Sequence, residues 1–166
     1  MIGLIAALSQ NPLIAILRGL PAENAISVSD TLVEAGFRII EVPLNSPDPL
    51  ESVAMITKQH GANAVVGAGT VLTVDQVGAV ADAGGRIIVS PNMNPYVGRA
   101  AIERGLFWCP GIVTPSEAFA ALEIGASVLK VFPAEMVPPA AIAAMRAVLP
   151  QHAVIAAVGG ITPETM

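Results

Sequence analysis

Short apolar runs recur along this chain at nearly even spacing, and a stretch of helical character follows each one. The first run, residues 13–17, is bounded by Arg18-Gly19; its length, flanks and branched content predict a buried strand. Pro21-Ala22-Glu23-Asn24 opens a helix with Ile26, Leu32 and Val33 near one face, and Gly36 closes it. Residues 38–42 form a second strand, stopped by Pro43. Ser46 then caps a helix with Pro47 at its first position, running to about Gly61. The unit repeats. Strand 64–68 leads into Gly69-Thr70, and Thr73 caps a helix to Gly84-Gly85. Strand 86–89 ends at Ser90-Pro91-Asn92, and Asn94-Pro95 opens a helix to Gly105. Strand 106–109 ends at Pro110-Gly111, and Thr114-Pro115-Ser116-Glu117 begins a helix closed by Gly125. Strand 128–132 carries a lysine at its centre, and Pro138-Pro139 opens the helix after it, to about Leu149-Pro150. Strand 153–158 runs into Gly159-Gly160, and Thr162-Pro163-Glu164 starts one more helix.

Strict alternation of strand and helix, with short connections, is the signature of βαβ units in a parallel sheet. Seven near-equal units predict a TIM (β/α)₈ barrel, here ending after its seventh strand, rather than an open doubly wound sheet. A Gly-x-Gly-x-x-Gly fingerprint after the first strand is absent, which weakens the open-sheet alternative.

Composition supports strands buried on both faces: 54% of residues are hydrophobic and only 13% charged. No apolar stretch approaches the ~18 residues a spanning helix needs, so no membrane is expected. A net charge of −5 argues against a nucleic-acid partner. One cysteine rules out an internal disulfide framework and fits a reducing cytoplasm. The apolar start, Met1 to Leu8, resembles a secretory h-region, but it is short and lacks a basic n-region, so it is not read as one.

The polar residues also fall in a pattern. Arg18, Glu41, Thr70, Pro91, Pro110, Lys130 and Gly159-Gly160 all stand at or just beyond the carboxyl ends of their strands, the face on which barrel enzymes build active sites. Side chains alternate along a strand, so Ile39 shares a face with Glu41, and Val128 with Lys130 and Phe132. A lysine inside an apolar strand is costly as an ammonium, and burial favours the neutral amine, a nucleophile for carbonyls. The structural alternative is a lysine that snorkels outward or pairs with a buried carboxylate such as Glu41. Converging with Glu41 as proton carrier and Arg18 as a planar two-point donor, Lys130 points instead to iminium chemistry on a 2-keto acid. Thr70 adds a hydroxyl, Phe132 walls the pocket and helps keep Lys130 neutral, and the diglycine leaves backbone N–H groups open to a phosphate. His60 and His152 fall on the opposite face. No residue spacing suggests a metal site. Cys109, without a histidine partner, is a packing residue, and Phe107 and Trp108 belong to the core or an interface.

Seven stretches together carry a resemblance. They are residues 13–19, Glu41-Val42-Pro43-Leu44-Asn45-Ser46-Pro47, Gly67-Ala68-Gly69-Thr70, Ser90-Pro91-Asn92, Cys109-Pro110-Gly111, Leu129-Lys130-Val131-Phe132-Pro133 and Val158-Gly159-Gly160. In this order the chain resembles the class I KDPG/KDPGal aldolase family, and Asn45-Ser46-Pro47 with Val158-Gly159-Gly160 resemble its galactonate branch. The resemblance implies reversible cleavage of 2-dehydro-3-deoxy-6-phosphogalactonate to pyruvate and D-glyceraldehyde 3-phosphate, by a cytoplasmic homotrimer without metal or organic cofactor. It assigns Lys130 as the Schiff-base residue and Glu41 as the proton shuttle. Arg18 and Thr70 take the carboxylate, Pro91 and Phe132 line the substrate pocket, and Gly159 and Gly160 face the phosphate. The gluconate epimer and 4-hydroxy-2-oxoglutarate are the alternative substrates. Family members have an eighth βα unit that completes the phosphate site. Residues 1–166 are therefore expected to be a single barrel domain lacking that unit, whose consequences are poor stability, a weak grip on phosphate or, at the extreme, an inactive barrel that only binds phospho-sugar acids.

Overall fold

Strand ladders form where the apolar runs predict them, and all are parallel. The computed structural model describes residues 1–162. The strands are β1 (Ala15–Ile16), β2 (Ile39–Pro43), β3 (Val65–Gly69), β4 (Ile87–Val89), β5 (Phe107–Cys109), β6 (Gly111–Ile112), β7 (Leu129–Val131) and β8 (Ile155–Ala157). The helices are α1 (Leu4–Gln10), α2 (Ala25–Glu34), α3 (Pro49–His60), α4 (Val74–Asp82), α5 (Pro95–Glu103), α6 (Pro115–Ile124) and α7 (Pro139–Val148). Of the helix start expected at Thr162-Pro163-Glu164, Pro163 and Glu164 lie outside the described residues.

Strands follow one another in chain order, β1 to β5 in one sheet and β6 to β8 in a second. The predicted fifth strand is β5, and β6 is a further short strand just past its expected end at Pro110. Pro110 has no N–H to donate, so the ladder breaks there. Its carbonyl still accepts the Lys130 N–H at 2.9 Å, which ties the two sheets into one curved wall.

Two apolar clusters show the alternation of a barrel wall. Ile40, Val42, Val66, Ala68, Ile88, Trp108, Leu129 and Val131 face outward beneath the helices. Ile39, Val65, Ile87, Val89, Cys109 and Val128 face inward, where Leu4 and Ala7 of α1 join them. The apolar start is therefore a helix that packs into the barrel interior, a contact its own sequence does not announce. Trp108 lies flat against Gly98 of α5, where any side chain would collide with the indole ring.

Three expectations need correction. The helix predicted from Ser46-Pro47 begins later, at Pro49, after Asp48 in a left-handed conformation (φ 39°). Pro21 precedes a 3₁₀ turn, Ala22–Asn24, and α2 proper starts at Ala25. The run 13–17 is not buried throughout: Ile16 is 41% exposed, because β1 has no strand partner on its far side among the described residues. The expected caps at Thr73 and Thr114 are present as reciprocal capping boxes with Gln76 and Glu117. No helix among the described residues is long and apolar enough to cross a membrane.

Candidate active site

The inward face of the wall is mostly apolar, and on it β2 presents Glu41 and β7 presents Lys130, each from the middle of its strand. They are 3% and 8% exposed. Register explains their placement. Glu41 lies opposite Gly67 in the β2–β3 ladder and Ile16 in the β1–β2 ladder, and Lys130 opposite Gly111 and Ala156, so each has at least one small neighbour. Small neighbours leave room for two long polar side chains.

Burial dominates both ionisations. Desolvation raises the Glu41 carboxyl from 4.5 to about 7, against the opposing pull of Lys130, Arg18 and the Gly69 N–H. Desolvation also lowers the Lys130 amine, opposed chiefly by Glu41 and reinforced by Arg18. The two shifts run toward each other, which narrows the gap a proton must cross between carboxyl and amine. An amine depressed in this way attacks a carbonyl carbon, and a carboxyl near 7 both gives and takes protons.

Phe132 stands with its ring centroid 4.4 Å from the Lys130 Nζ. Its bulk accords with the expectation that it helps keep the amine neutral, and its face adds a second influence. The ring excludes water, but its face attracts a cation, so it also favours any cationic species formed on Nζ. Cys109 lies deeper, fully buried, its thiol pushed up to about 12 chiefly by desolvation. It stays protonated and packs, as expected.

Arg18 projects from the turn after β1. Its Nη1 donates to the Asn45 Oδ1 at 2.6 Å and its Nη2 to the Thr70 Oγ1 at 3.4 Å. Thr70 holds φ +57°, a left-handed conformation that costs a β-branched residue on the order of 1–3 kcal/mol.

A cavity of about 870 Å³ opens between β1 and β8, and Glu41, Lys130, Gly159 and Gly160 are on its wall. Gly159 and Gly160 both have positive φ, 99° and 68°. Most of the remaining lining is apolar, from α1, β1 and β8. Arg18 bears electrostatically on both Glu41 and Lys130, Thr70 touches Arg18, and Phe132 lies against Lys130, but none of the three lines the cavity itself. Pro91 stands apart from this cavity, its carbonyl pressed against Gly111. His60 lies at the amino-end face of the wall, 2.8 Å from Asp30. Among the described residues no group of three or more His, Cys, Asp and Glu could hold a metal ion.

Gly69, one residue of the Gly67-Ala68-Gly69-Thr70 motif, also shapes the site. A Cβ there would land on the Glu41 carboxylate. Gly69→Ala is therefore expected to leave the fold intact and displace Glu41, lowering kcat about 100-fold, the usual cost of a 1 Å misplacement. Steady-state kinetics beside an unchanged circular dichroism spectrum checks this.

Comparison with known proteins agrees with this geometry. A protein of Rhizobium meliloti named as a probable 2-dehydro-3-deoxy-6-phosphogalactonate aldolase is 53% identical over 92% of this chain and 72% of its own length. The 2-dehydro-3-deoxy-6-phosphogalactonate aldolase of Escherichia coli is 46% identical over 93% of this chain and 76% of its own. A solved structure described as native KDPGal superposes with a TM-score of 0.90 at 46% identity, covering 92% of this chain and 74% of the other. The KDPG and KHG aldolase family model matches residues 4–166, and the chain belongs to that family.

Proposed function

We propose that this chain is a class I aldolase that cleaves 2-dehydro-3-deoxy-6-phosphogalactonate to pyruvate and D-glyceraldehyde 3-phosphate through an iminium on Lys130. One observation carries the mechanism: an amine and a carboxyl are both buried on the wall of one largely apolar cavity, where desolvation raises the carboxyl and lowers the amine. The names of the relatives carry the substrate.

The neutral Lys130 Nζ adds to the C2 carbonyl carbon, and the oxygen takes a proton from Glu41 to give a carbinolamine. Loss of water leaves the iminium, an electron sink. The C4 hydroxyl gives its proton to the Glu41 carboxylate as the C3–C4 bond breaks. That electron pair moves toward nitrogen, releasing the aldehyde and an enamine. Glu41 returns a proton to C3, and water hydrolyses the resulting pyruvyl iminium. Phe132 stabilises the cationic stages from beside Nζ. Arg18 and Thr70 hold the carboxylate. Gly159 and Gly160 face the phosphate, and Pro91 supports the rim through Gly111. The protein works as a homotrimer in the cytoplasm, with no metal or organic cofactor.

Pyruvate release from the two C4-epimeric substrates, followed through lactate dehydrogenase, tests the specificity. The galactonate epimer is expected to have the higher kcat/KM. A higher value for the gluconate epimer would overturn the assignment and leave the iminium chemistry standing.

A further inference from the structure

The loop between β2 and α3 grips Arg18 from three sides. Asn45 Oδ1 accepts from the guanidinium at 2.6 Å. The Ser46 hydroxyl accepts the Gly19 N–H at 3.0 Å and reaches the Leu17 carbonyl at 3.4 Å. It thus bridges the backbone on both flanks of Arg18, across a turn in which Gly19 adopts φ +73°. Ser46 is buried, so this hydroxyl is not satisfied by bulk water. The loop is itself anchored: Ser46 N donates to the Pro43 carbonyl and Leu44 N to the Gly69 carbonyl, at 2.9 and 2.8 Å.

We infer that Asn45 and Ser46 are positioning residues for Arg18, setting the direction of its guanidinium so that a substrate carboxylate meets a preformed fork. Arg18 is exposed and long, and an arginine of this kind samples many rotamers unless something holds it. Holding it before substrate arrives removes that ordering cost from binding. The chemistry of the holder matters. Asn45 offers a neutral acceptor, so it orients the guanidinium without cancelling its charge. An aspartate there would pair with the arginine and compete with the substrate. Among the described residues Arg18 makes no ion pair, so its full charge remains available.

This inference rests on the reading of Arg18 as the carboxylate-binding residue, and the test separates the two. The readout is the pyruvate concentration giving half-maximal borohydride trapping on Lys130, in wild type, Arg18→Ala, Asn45→Ala and the double variant. Asn45→Ala is expected to raise that concentration about tenfold, the scale of one hydrogen bond to a charged group, with an unchanged melting curve. In the Arg18→Ala background it should have no further effect. Ser46→Ala should weaken trapping similarly, and Ser46→Thr, which keeps the hydroxyl, should restore it. If Arg18→Ala weakens trapping but Asn45→Ala does nothing, or acts in full without Arg18, the positioning role is refuted. If Arg18→Ala leaves trapping unchanged, the carboxylate reading itself fails.

Discussion

Replacing Lys130 by methionine is expected to reduce aldol cleavage to background. The loss should be on the order of 10⁴-fold or more, the scale seen when an enzyme loses its covalent nucleophile. No second lysine is placed to substitute: Lys58, the other lysine of the chain, is on α3. Methionine is close to lysine in shape and belongs in an apolar wall. The variant should therefore fold, and the loss should appear in kcat rather than in expression or melting temperature. A second consequence is electrostatic. Lys130 is the largest of the influences that hold the Glu41 carboxyl down. Without it the carboxyl should titrate above its native value of about 7, as measured by carbon NMR of labelled glutamate. A Lys130→Met protein with near-native turnover would end the iminium account.

Glu41→Gln should lower kcat by about 10² to 10⁴, the range assigned to a positioned general acid–base group. Its effect on pH dependence is as informative. The Glu41 carboxyl binds its proton more tightly in the folded chain, at about 7 against 4.5. Between those values the native state carries more protons than the unfolded state. Stability from this group is therefore fully present below about pH 4.5 and is lost as pH rises toward and through 7. The whole change is worth about 3 kcal/mol, at 1.36 kcal/mol per pH unit. Glutamine cannot titrate, so the variant should lack this fall in stability, and the rate profile should lose its inflection near neutrality. Urea melts at pH 5 and pH 8 would show it: wild type weakening between them, the variant losing that slope. Equal slopes would mean that Glu41 is not perturbed as its burial implies.

The strands and the lysine–glutamate pair were legible because both follow from period-two alternation. Ile39 and Glu41, and Val128 and Lys130, point into the barrel as the pattern requires. The caps at Thr73 and Thr114 were legible because a capping box is local, written within four residues. What was misread depends on distant partners. Ser46 before a proline has the signature of a cap, yet its hydroxyl is taken by Leu17 and Gly19, 29 and 27 residues away. The next proline, Pro49, becomes the helix start instead. The helix at Leu4–Gln10 has too short an apolar run to reveal that it packs into the barrel interior. Pro110 was read as a strand end, but a proline that withholds a donor can still supply its carbonyl to the neighbouring strand. Phe132 was placed correctly beside Lys130, and only a distance shows that its face, as well as its bulk, bears on the amine.

Borohydride reduction in the presence of pyruvate, followed by intact mass and peptide mapping, tests the central claim most directly. The account predicts one reduced pyruvyl adduct, on the peptide containing Lys130, and none in the Lys130→Met protein. Folded protein that turns over its substrate without forming that adduct, or that carries it on another residue, would contradict the assignment of Lys130 as the covalent centre.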